Sequence, residues 1–229
     1  MRQDAKLIAS GRDADIYEAG PGLVMRRSRD GRSLAYEAKI MEYVRSHGFP
    51  VPEVQGVNGD GTEMVMERLH GVSMLDGLAH RPWRLRSTGA QLADLHQRLH
   101  EIVAPGWMAA APSGAGERVV HLDLHPLNVM MTDRGPFVID WANAGRGDPA
   151  VDVALTWLLL AGGAVSGSRT AAWFVTRARG AVIRGFLDGC ERAAAARHLR
   201  EVAQWKSRDP NMSPSERAAM ERVAMDHGE

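Results

Sequence analysis

The sequence predicts an α+β fold in two lobes, a small antiparallel sheet carrying one helix and then a mainly helical body. Three observations predict it. Short β-prone runs broken by Gly and Pro turns fill the first 70 residues. From Gly71 onward, apolar residues recur at helical spacing. The 229 residues, 45% of them hydrophobic, suffice for one domain or for two lobes sharing a cleft. There is no internal repeat and no low-complexity linker, so the change of pattern near residue 70 sets the expected lobes at 1–69 and 70–229.

In the first lobe, residues 6–9, 15–18 and 23–26 read as strands joined by turns at Gly11 and at Gly20-Pro21-Gly22, which makes an antiparallel meander. A helix over 33–47 follows, stopped by Gly48 and Pro50. Its apolar stripe is Leu34, Ile40, Met41 and Val44, with Glu37 as a carboxylate inside it. A strand over 63–66 closes the lobe. In the second lobe, helices are expected over 87–102 (Leu92, Leu95 and Leu99 on one stripe), 151–160, 171–187 and 193–205. The last helix opens on a capping box, with Ser213 as N-cap, Pro214 at the first helical position and Glu216 three residues after the cap.

Composition excludes several functions. Lys plus Arg is 28 and Asp plus Glu is 28, spread evenly along the chain. A neutral, unpolarised chain is not built to coat nucleic acid or an anionic membrane, so neither is an expected partner. The lone Cys190 excludes a disulfide framework or a cysteine-based zinc site within the chain. Residues 1–6 lack the apolar core of a signal peptide. The longest apolar stretch, 151–165, is interrupted by Asp152, Thr156 and two glycines and is too short to span a bilayer. A cytoplasmic protein is expected.

Residues 121–141 hold the chemistry, from His121-Leu122-Asp123 through Asn128 to Ile139-Asp140-Trp141. Residues 129–131 read as a strand, 132–135 as a turn and 137–139 as the returning strand. Asn128 starts the first strand and Asp140 ends the second, so pairing sets an amide and a carboxylate oxygen side by side. Hard cations such as magnesium take oxygen ligands and bind phosphate as well. Asp123, five residues before Asn128, points into the same space without competing for the metal. One carboxylate to orient an attacking hydroxyl beside a metal clamp suits phosphoryl transfer. Turn capping would account for one such Asp alone; the full pattern in one hairpin favours the catalytic reading.

Here the chain resembles the aminoglycoside phosphotransferase and choline kinase-like family, which has a protein-kinase-like fold. The matching residues are His121-Leu122-Asp123 with Asn128, then Ile139-Asp140-Trp141, then Gly147-Asp148-Pro149-Ala150-Val151-Asp152. The resemblance implies a catalytic role for Asp123 and magnesium binding by Asn128 and Asp140. Asp148 is explained as an N-cap, and the resemblance implies that Asp152 anchors the catalytic loop. Trp141, standing where protein kinases place Phe in D-F-G, favours the small-molecule branch.

In kinase-like folds a strand lysine holds the nucleotide phosphates and pairs with a helix glutamate. The matching residues here are Arg26, with Arg27 second in rank, and Glu37. Arg forks towards oxygens where Lys acts as a point charge. No G-x-G-x-x-G is present. Gly11 marks the one candidate phosphate loop, which also reads as an ordinary hairpin turn. Glu67 and Leu69, after the strand over 63–66, would offer backbone groups to adenine by the same resemblance.

The expected protein is therefore an ATP- and magnesium-dependent phosphotransferase acting on a hydroxyl of a small molecule. The alternatives are a pseudokinase, motivated by Arg26 and the atypical glycine loop, and a compact protein Ser/Thr kinase. The slightly basic residues 141–229 do not favour a polycationic acceptor.

Overall fold

The computed structural model describes residues 5–11, 13–79, 81–112, 115–162, 169–209 and 212–228. Arg12 of the candidate phosphate loop, the first four residues and positions 163–165 of the apolar stretch lie outside them. The chain divides into two compact units, Met1–Val72 with Met130–Ala142, and Ser73–Val129 with Asn143–Glu229. Elements are numbered in chain order.

The first unit is built on five strands: β1 (Leu7–Ser10), β2 (Ala14–Gly20), β3 (Leu23–Ser28), β4 (Val54–Val57) and β5 (Glu63–Glu67). They lie in the order β1-β2-β3-β5-β4, every neighbour antiparallel. Gly22, at φ +70°, makes the tight β2–β3 turn. Along β3, Val24 and Arg26 are the buried residues, so the strand's period of two turns Arg26 inward. β3 runs on to Ser28, two residues further than its pattern predicts. Arg27 pairs across the sheet with Glu63, their side chains 2.7 Å apart, and this cross-strand pair extends the ladder. The strand β4 was not foreseen, because Val54-Gln55-Gly56-Val57 carries little β propensity. It forms by covering the free edge of β5.

Helix α1 (Ala35–Ser46) joins β3 to β4. Its buried face is Glu37, Ala38, Ile40, Met41 and Val44, which is the predicted stripe with Ala38 added, while Leu34 of that stripe is buried just before the helix as its N-cap; Gly48 ends the helix at φ +78°. The strands β6 (Gly71–Ser73), β8 (Val129–Thr132) and β9 (Gly135–Val138) form a small sheet in the order β6-β8-β9. Gly71 must be glycine, since a Cβ there would meet Met131 O at 2.1 Å. After β9, Trp141 is fully buried, edge-on to Phe49 and donating its indole N–H to Val138 O (3.1 Å).

The second unit is mainly helical: α2 (Met74–Ala79), α3 (Leu85–His100), α4 (Pro149–Gly162), α5 (Arg169–Leu187), α6 (Arg192–Lys206) and α7 (Pro214–His227). The short strands β7 (Arg118–Val120) and β10 (Gly145–Gly147) pair antiparallel. Helix α4 packs on α5, α6 and α7, which is why it is apolar nearly all round. Helix α3 begins before the predicted Ser87, because a single 3₁₀ turn, Pro82–Arg84, runs straight into it. Gly89 and Gly185 let α3 and α5 meet at backbone distance. The predicted capping box closes α7, with Glu216 N donating to Ser213 Oγ (3.2 Å) and Ser213 N to Glu216 Oε2 (2.8 Å). Among the described residues no helix is long and apolar enough to cross a membrane.

Candidate active site

In the second unit, residues 121–128 form a loop between β7 and β8. Asn128 Nδ2 donates to Asp123 O (2.9 Å) and to Asp123 Oδ2 (3.2 Å), so the amide fixes both the backbone and the carboxylate of Asp123. His125 Nδ1 accepts the Leu127 N–H (3.3 Å), and its Nε2 lies 3.5 Å from Asn128 Nδ2. That Nε2 lies 3.8 Å from Asp123 Oδ2. No hydrogen bond among the described residues uses the carbonyl oxygen of the Asn128 side chain.

The loop hangs from a buried carboxylate. Asp152 of α4 is fully buried and accepts the N–H of Leu122 (2.8 Å), the N–H of His121 (3.0 Å) and His100 Nε2 (3.0 Å). Leu122 itself sits at φ +59°. A non-glycine residue there is strained, and such strain concentrates at functional sites. Burial alone would push the Asp152 carboxyl up. The hydrogen bond and charge interaction with His100 and the His121 N–H hold it well below the ordinary carboxylate range. Beside it, Thr156 donates to Leu124 O (2.8 Å), and buried His96 meets Thr156 Oγ1 (3.0 Å) and Leu92 O (2.8 Å). Burial pulls His96 down to about 4, so it is neutral at pH 7.

In the first unit, Arg26 Nη1 donates to Glu37 Oε1, joining β3 to α1, and Nη2 donates to Asp140 Oδ1 (3.0 Å). The N–H of Trp141 donates to the same Glu37 oxygen (3.2 Å), and Asp140 sits at φ +66°. Burial works against the Arg26 charge, but Glu37 and Asp140 outweigh it and raise the guanidinium above its ordinary value. Burial pushes the Glu37 carboxyl up against the pull of Arg26. Glu37 Oε2 is buried and makes no hydrogen bond. Asp140 keeps Oδ2 clear of hydrogen bonds among the described residues. Arg27, the second-ranked arginine, is committed to Glu63 instead.

The remaining predicted residues lie on the same unit. The Gly11 N–H closes its own turn on Ala14 O (2.9 Å). Arg29, absent from the sequence reading, ties that turn together by donating to Asp15 Oδ1 (2.6 Å). Glu67 accepts from Arg134 through Oε1, and its N–H donates to Glu53 O (2.8 Å). Leu69, two residues past β5, uses neither backbone polar group in a hydrogen bond among the described residues. That is the condition in which a backbone can serve a planar base.

Sequence reasoning missed Lys206. Its ammonium lies 3.7 Å from Asp123 Oδ1 and 3.0 Å from Asp209 Oδ2. One faint signal was present: it is one of three lysines in a chain with 25 arginines. Among the described residues no three His, Cys, Asp or Glu side chains cluster to hold a metal. The Asn128 amide oxygen in the second unit and Asp140 Oδ2 in the first are, each by itself, hard oxygen donors of the kind that magnesium takes.

Two compact units, a five-stranded antiparallel sheet with one helix and a helical body carrying an H-x-D loop, define a protein-kinase-like enzyme. The chain belongs to the phosphotransferase enzyme family (APH), whose model matches residues 4–112 and 107–205. No curated protein compared with it matches. Among solved structures it is similar to a choline/ethanolamine kinase family protein from Mesorhizobium loti, at 16% identity and TM-score 0.59 over 98% of this chain and 87% of that one. It is also similar to a thermostable mutant of aminoglycoside phosphotransferase APH(4)-Ia in ternary complex with ADP and hygromycin B (12% identity, TM-score 0.59, 97% and 94% covered). A third is amicoumacin kinase hAmiN in complex with AMP-PNP, calcium and Ami (13%, 0.56, 99% and 88%). At these identities the likeness is one of fold.

Proposed function

We propose that this phosphotransferase moves the γ-phosphoryl group of ATP to a hydroxyl of a small molecule, with magnesium. Residues 1–69 take the nucleotide, and 70–229 carry the catalytic loop and the acceptor. The observation that supports this most is the Asp123 carboxylate, oriented by Asn128 on a strained loop that Asp152 holds from beneath. Asp123 orients the acceptor hydroxyl and takes its proton as the O–P bond forms. Arg26, held by Glu37, faces the nucleotide phosphates, and His125 reaches the transferring group. Gly11 stands at the phosphate turn, while Glu67 and Leu69 offer backbone groups to adenine. Asn128 and Asp140 would hold the magnesium through their open oxygens; when bound, it neutralises phosphate charge. Consumption of ATP places the work in the cytoplasm.

The test is the Asp123→Ala variant, assayed for magnesium-dependent ADP release against a panel of hydroxylated metabolites. Turnover is expected to vanish while nucleotide binding stays measurable; retained turnover removes Asp123 from this role. One observation favours a second reading, a nucleotide-binding protein without turnover. Arg26 holds an Asp140 oxygen that a magnesium ion would compete for. ADP release with and without magnesium separates the two.

A further inference from the structure

Lys206 ends α6 and is only 8% exposed. A buried ammonium is costly unless it is paired. Asp209, three residues on, already provides a local partner at 3.0 Å. The second carboxylate that Lys206 meets is Asp123, 83 positions earlier in the chain. The Asp123 carboxylate is thereby held from two sides, Oδ2 by the Asn128 amide and Oδ1 by the Lys206 ammonium.

We propose that Lys206 is a positioning residue for phosphoryl transfer, acting through Asp123. This rests on the role of Asp123 given above. The helix end is favourable for a cation, because the carbonyl end of the helix dipole is negative. The ammonium is a compact point charge that sits against one carboxylate oxygen without the fork of a guanidinium. It keeps the carboxylate from rotating away, so that a lone pair stays aimed at the acceptor. In the reaction the bond from the acceptor oxygen to the γ-phosphorus forms and the bond from that phosphorus to the β,γ-bridging oxygen breaks. ADP leaves with the electron pair, and the hydroxyl proton passes to Asp123. Lys206 keeps its protons throughout.

The experiment uses the full chain with magnesium-ATP and water as the acceptor probe, reading ADP release and the melting temperature of each variant. Lys206→Met is expected to lower kcat about 10- to 100-fold, the scale of an ångström misplacement, with the nucleotide KM within about twofold. Lys206→Arg, which keeps the charge, is expected to recover part of the loss. Should Lys206→Met fail to fold, Lys206→Gln is read in the same way. Wild-type kcat in a folded uncharged variant overturns the proposal, and so does a raised KM with kcat unchanged. Wild-type turnover in Asp123→Asn overturns the underlying reading of Asp123 instead, and a wild-type chain that releases no ADP overturns both.

Discussion

Replacing Asp152 by alanine removes the buried acceptor of the loop at Leu122. The carboxylate is fully buried and receives two backbone N–H groups, at 2.8 and 3.0 Å, and the His100 ring at 3.0 Å. Leaving a buried donor without its acceptor costs about 1–3 kcal/mol per group. Breaking a buried pair by removing one partner costs about 3–5 kcal/mol. The two figures overlap, since they count the same contacts, so Asp152→Ala should lose about 3–5 kcal/mol. A domain's whole stability is about 5–15 kcal/mol. Asp152→Asn keeps one carbonyl oxygen but turns an amide towards an N–H, and should lose about 2 kcal/mol. Urea unfolding at pH 7 measures both. The sign of the pH effect follows from the depressed carboxyl. As pH falls below about 4, the unfolded chain takes up this proton before the folded one does. The contribution is complete above that pH and is lost below it, so the gap between wild type and Asp152→Ala should narrow in acid. A loss under about 1 kcal/mol at pH 7 would refute the idea that this carboxylate suspends the loop.

His96 gives the opposite charge type and a different window. Its folded value of about 4 lies below the unfolded 6.5, so acidification from pH 6.5 to 4 should remove about 3 kcal/mol, and His96→Gln should flatten that slope; equal slopes in both proteins count against it. Gly89→Ala should destabilise by about 1–3 kcal/mol or more, read from the melting temperature, because the new Cβ would stand 2.1 Å from Val182 O across the α3–α5 contact. An unchanged melting temperature would show that those helices can part freely.

The helices were legible from different signals, the leucine stripe of α3, the long apolar run of α4 and the capping box of α7, and all five predicted in the second lobe exist, with each predicted end within about two residues. The weak strands were not, because β4, β6, β7 and β10 have three or four residues each and owe their state to a partner strand. The pairing of Arg26 with Glu37 was readable because a charge on the inward face of a strand and a charge in an apolar helix stripe must each find a partner. The bond from Arg26 to Asp140 was not readable, since it spans 114 positions and depends on how the backbone turns after β9. Lys206 was hidden for the same reason: helical spacing explains Lys206 with Asp209, and nothing local points from it to Asp123.

Two non-glycine residues take positive φ among those described, Leu122 and Asp140, and each adjoins or is one of the carboxylates assigned to the chemistry. Such a conformation costs about 1–3 kcal/mol and persists only where its surroundings over-determine it. The two units solve this in parallel. Asp152, buried in α4, accepts the N–H of Leu122 and of the residue before it. Glu37, buried in α1, accepts the N–H of Trp141, the residue after Asp140. In both cases a carboxylate that packing would rather neutralise is kept among hydrogen-bond donors, and those donors belong to the strained turn. Hence Glu37 does more than neutralise Arg26: it also fixes the peptide that follows Asp140. A side chain at position 37 that met only the charge requirement would leave that turn without its acceptor, as alanine at position 152 would leave the turn at Leu122.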